Sequence, residues 1–175
     1  MKTTMTKAEM VQSFIETLTD DEAIDCIEKD GGVEPVFVFQ CIDENNKEIT
    51  FPLDIPIDFM KQGRIGKEIF MQTIFPTFKK FIREERNCTI NCIAFISEAW
   101  KQESKIDELD LENVILNETN SKEIVHFTFN YEGGEVTFFY DVVRIGQTMK
   151  LVNKEVVRTD YAKDKPIGRF QNLLA

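Results

Sequence analysis

The sequence predicts an α+β fold: a mostly antiparallel sheet of five or six strands, one face covered by two N-terminal helices and a kinked central helix. Three patterns carry that expectation. Apolar residues recur at helical spacing in the first thirty residues and again over residues 67–86. The run Cys92 to Ile96 is apolar without a break. Apolar and polar residues alternate on both sides of Gly133-Gly134. The chain has 175 residues, 42% of them apolar and 15 of them Phe, which suits one packed domain over residues 1–160 followed by a basic tail, 161–175.

Thr6 and Glu9 form a capping-box pattern, and Met10, Phe14, Ile15 and Leu18 follow at helical spacing, giving a helix over about residues 7–18. Thr19-Asp20-Asp21-Glu22 starts a second, shorter helix that Gly31-Gly32 ends. Residues 20–34 hold seven acids and one Lys, with acids at the helix start, where the macrodipole favours them. Val36 to Ile42 and the alternating Ile49, Phe51 and Leu53 make a hairpin around a polar turn. Pro52 lacks the amide a central strand needs, so that second strand belongs at an edge or stops near Phe51.

Met71, Ile74, Phe75, Phe78, Phe81 and Ile82 define the core stripe of a helix over residues 67–86, with a kink expected at Phe75 to Thr77 because Pro76 cannot bond the Gln72 carbonyl. Residues 61–86 are the most positive stretch, with seven basic and three acidic side chains. Residues 88–100 read as a central strand covered on both faces, and residues 101–122 as a long loop. With Gly133 and Gly134 as the turn, Phe129 faces Phe138 and His126 faces Asp141, while Val125, Phe127, Phe129, Tyr131, Val136, Phe138, Tyr140 and Val142 share one face. A last strand is expected near Met149 to Val157.

The net charge of −10 disfavours nucleic acid and anionic membranes as partners except at a locally basic face. The first residues lack the apolar core of a secretory signal, and Cys26, Cys41, Cys88 and Cys92 do not read as a disulfide framework, which together suggest a cytoplasmic protein with free thiols. One His and no CxxC pair give no zinc pattern, so no metal and no cofactor are expected. Gly63-Arg64-Ile65-Gly66 matches no phosphate-binding motif.

The leading expectation is a non-enzymatic interaction protein that meets a protein partner or a second copy through its charged patches and tail, with Arg64, Lys79, Lys80, Arg83, Arg169 and Phe170 as candidate contacts. In size and charge it is similar to small accessory proteins of bacteria and their phages. The alternative is an acid–base hydrolase or lyase using His126, Asp141 and Glu98. A second alternative is nucleotide or nucleic-acid binding at the basic stretch, read by steep salt dependence.

Overall fold

The structure, a computed structural model, describes residues 5–102, 121–164 and 173–174. Helix α1 (Lys7–Thr19) begins at the expected capping box: the Thr6 hydroxyl accepts from the Glu9 amide and the Glu9 carboxylate accepts from the Thr6 amide. Asp20, in an extended conformation, ends α1 and caps α2 (Asp21–Asp30) by accepting from the Ala23 amide. Gly31 closes α2 at φ +72°, a left-handed conformation that costs glycine little.

Six antiparallel strands follow the order β2-β1-β3-β4-β5-β6: β1 (Val36–Ile42), β2 (Glu48–Asp54), β3 (Thr89–Gln102), β4 (Ser121–Tyr131), β5 (Gly134–Ile145) and β6 (Thr148–Asp160). β3 is central, as its unbroken apolar run implies, and Pro52 lies in edge strand β2. The ends of the segment expected to be loop are strand instead, since Lys101 pairs with Lys122 and Gln102 with Ser121; the rest of it lies outside the described residues.

Helices cover both faces of the sheet, a correction to the single covered face expected. Val11, Phe14 and Ile15 of α1 pack with Cys92, Ala94, Ile96, Phe127 and Phe129 on one face. On the other, Phe37, Phe39, Ile93 and Phe95 pack with Phe70, Phe75 and Ile82 of the central helical segment. Successive residues of β1 and β3 point to opposite sides and are apolar on both, so each side must be removed from water.

The central segment runs through α3 (Ile57–Lys61), α4 (Gly63–Ile69), a π-helical turn (Phe70–Ile74), α5 (Phe75–Lys80) and a second π-helical turn (Phe81–Glu85). The irregularity at Pro76 takes the form of that first π turn: the Phe75 amide donates to the Phe70 carbonyl, and the backbone keeps helical angles through Ile74 and Phe75. Widening the turn just before the proline absorbs the bond its missing N–H would have made.

The β4–β5 hairpin has the expected faces but a different register. Glu132 and Gly133 make the turn, Gly133 at φ +87°, so Tyr131 pairs with Gly134, Phe129 with Val136 and Phe127 with Phe138. Gly134 stands within β5 because the Thr159 carbonyl would lie 2.6 Å from any Cβ placed there. A two-residue slip leaves every side chain on its own face, which is why the alternation could not detect it.

Candidate functional site

His126 lies across from Phe139, and Asp141 across from Ile124, so the expected His126–Asp141 pair does not form. The two-residue change of register separates them. His126 sits half-buried against the Phe95 and Phe139 rings, with Nδ1 3.3 Å from the Thr128 hydroxyl. Burial pushes its pKa down to about 4. Asp141 accepts from the Asn153 amide at 3.0 Å and lies 3.7 Å from the Lys122 ammonium.

Glu98 is on the opposite face from His126: it pairs with Val125, whereas His126 pairs with Ser97. The three candidate acid–base groups therefore do not converge. Glu98 instead accepts the Val33 amide at 2.8 Å and faces the Arg144 guanidinium at 3.3 Å. Arg144 also pairs with Glu123 and donates to the Gly31 carbonyl, tying the turn after α2 to β3, β4 and β5. Gly32 fits this closure, since a Cβ there would stand 3.1 Å from Glu98 Oε1. Trp100, two residues on, is 59% exposed, so β3 has emerged into water by that point.

Much of the basic stretch is engaged within the chain. Lys79 is buried and donates to the Leu173 carbonyl at 2.7 Å, so it is not part of an open basic surface; burial, with the nearby Arg83, lowers its pKa. Arg64 pairs with Glu68 and Lys80 with Glu84, both one helical turn away, while Arg83 is exposed. Leu173 packs among Phe37, Phe70 and Ile82, so the end of the tail is docked on its own core rather than presented to a partner. Arg169 and Phe170 lie outside the described residues.

The acidic surface is real. Asp20, Asp21, Glu22, Asp25, Asp30 and Glu34 are exposed on or beside α2, which packs along β6. Glu28 is the exception, buried against that strand. Its carboxylate pairs with the Lys150 ammonium and accepts the Leu151 amide at 2.8 Å, and those bonds, Lys150 first, hold its pKa below the usual carboxylate value.

That contact bounds a stretch of sheet edge left unfilled among the described residues. Antiparallel strands direct alternate residues' N–H and C=O groups toward one neighbour and the rest away from it. The Tyr161 amide donates to the Gly133 carbonyl, so in the regular register back to Phe139–Glu155 the backbone groups of Glu155, Val157 and Thr159 serve β5. Those of Lys154, Val156, Arg158 and Asp160 point outward. Asp160 is closed by its own turn: its amide donates to the Asp164 carboxylate and its carbonyl accepts from the Lys163 and Asp164 amides. At the other end, beyond the irregularity at Asn153 (φ +53°), Glu28 holds the Leu151 amide. Between these two closures Lys154, Val156 and Arg158 have no backbone partner beyond the sheet among the described residues. Their side chains are exposed, as is that of Val157.

No hairpin or aromatic pattern marked this window. The signal available in the sequence was the run of exposed-type residues Lys154-Glu155-Val156-Val157-Arg158 in a strand-forming stretch. Among the described residues no three His, Cys, Asp or Glu side chains gather as a metal site would require. No described helix is long and apolar enough to cross a membrane. No protein-family model, curated protein or solved structure matches this chain.

Proposed function

We propose that this chain is a non-catalytic interaction protein whose partner adds an extended segment to β6 at Lys154–Arg158. The carrying observation is the row of outward backbone groups at Lys154, Val156 and Arg158, open among the described residues between the closures made by Glu28 and Asp164. Backbone hydrogen bonds supply affinity in such pairing and side chains supply specificity. The exposed acids of α2 flank the first half of the same strand, which favours a partner segment with basic residues next to the paired stretch. The rival acid–base reading loses its support because His126 and Glu98 stand on opposite faces.

Val156→Pro tests the proposal. The Val156 amide points outward, so proline there leaves the β5 ladder intact while removing a donor and obstructing the approach of another strand. Tagged wild-type protein should retain from its source cell a protein that the folded Val156→Pro variant retains at least about tenfold less. Identical retention by the two forms, or no retained protein at all, contradicts the proposal.

A further inference from the structure

Beneath the first two turns of α1 lies a cleft of about 450 Å³, of the size that takes a small organic ligand. Ala8, Val11 and Ile15 give it an apolar wall. Its polar lining comes from Lys7 and Gln12 of α1, Glu132 of the β4–β5 turn, and Asn91, Tyr131 and Arg158 of β3, β4 and β6. Asn91 arises from an irregularity in β3: β1 pairs Gln40 with Cys92 and Cys41 with Ile90, leaving Asn91 as the extra residue. Asn91 is 1% exposed, and its Nδ2 is without a hydrogen-bond partner among the described residues. A buried donor in that condition is destabilising, and an acceptor entering the cleft would offset that cost.

The charges around the opening are unequal. Lys7 and Glu132 pair with each other at 2.7 Å and largely cancel. Arg158, on β6, lines the same cleft and pairs with no carboxylate among the described residues. A guanidinium binds a carboxylate through two parallel N–H donors, so the local balance selects an anion even in a chain of net charge −10. We infer that this cleft binds a small carboxylate with a short apolar tail, its tail against Ala8, Val11 and Ile15 and its head group between Arg158 and the Asn91 amide. The inference does not depend on the β6 pairing, although Arg158 belongs to both places.

Hexanoate, hexanol and hexylamine share the tail and differ in the head group, so titrating each into the full chain while following the Val11 and Ile15 methyl resonances tests the assignment. Hexanoate should give saturable shifts and bind at least about tenfold more tightly than either of the others. Arg158→Gln, at an exposed position, should weaken hexanoate about tenfold and leave hexanol unchanged. Asn91→Leu should weaken hexanoate without lowering the melting temperature, because it also removes the unpaired donor. Absence of saturation with hexanoate, equal affinity for the three compounds, or an unchanged hexanoate affinity in the folded Arg158→Gln variant would each overturn the inference.

Discussion

The two edges of the sheet end the same structure by different means. β2 is seven residues long and carries Pro52, whose missing amide makes one position of that edge unable to donate. β6 is thirteen residues long and contains no proline; it is closed by side chains, Glu28 near its start and Asp164 at its end, with a stretch between them that is open among the described residues. An edge closed covalently stays closed in every context. One closed by carboxylates at two points leaves its middle addressable, and long open edges pair with other chains unless something prevents it.

The sharpest way to break this comparison is to place proline at neighbouring positions of β6. Val157→Pro removes an amide that serves β5 and should cost about 3 kcal/mol or more, seen as a large fall in melting temperature. Val156→Pro should leave the melting temperature nearly unchanged. Equal losses at the two positions would mean that the alternation of inward and outward groups has been assigned wrongly.

Acid supplies an effect of similar size from the middle of the sheet, where neither edge is involved. His126 is neutral in the folded protein, its pKa lowered to about 4 by burial, while in the unfolded chain it takes up a proton near pH 6.5. The unfolded state therefore binds more protons between these values. Stability is complete above about pH 6.5 and falls as the pH drops toward 4, by about 3 kcal/mol in all. His126→Leu should flatten that part of the stability curve, as measured by denaturant unfolding at several pH values; an unchanged slope would show that His126 is already hydrated or paired.

Smaller effects separate the edges again. Glu28→Gln weakens the closure of Leu151 and the pairing with Lys150, and should cost about 1 kcal/mol while raising self-association as the open stretch lengthens. Pro52→Val should change stability by less than about 0.5 kcal/mol, as surface substitutions do, yet raise self-association measured by light scattering because β2 regains a donor. If Pro52→Val leaves the molecular mass distribution unchanged at high concentration, the proline is not what keeps that edge closed.

What the sequence disclosed and what it concealed follow from the range of the interactions involved. The capping box at Thr6–Glu9, the glycine end of α2, the edge position of Pro52 and the shared face of the aromatic row were all legible, because each rests on local spacing or on a missing amide. The register of the β4–β5 hairpin was not, since a period of two is blind to a slip of two and Gly134 answers to Thr159 rather than to the turn. That slip alone dissolved the His126–Asp141 pair. Glu28 read as one acid among seven on a solvated helix, yet it is the one that seals β6 across 123 residues of chain. Lys79 likewise looked like surface charge until Leu173 returned to cover it. Long-range contacts of this sort leave no periodicity behind.

Amide hydrogen exchange along β6 tests the central claim most directly. In the isolated protein the amides of Lys154, Val156 and Arg158 should exchange fast, those of Glu155, Val157 and Thr159 slowly, and Leu151 should be protected by Glu28; the three fast amides should become slow in the complex retained from the source cell. Uniform protection of residues 154–159 in the isolated chain, or fast exchange of Lys154, Val156 and Arg158 persisting in that complex, would contradict the account.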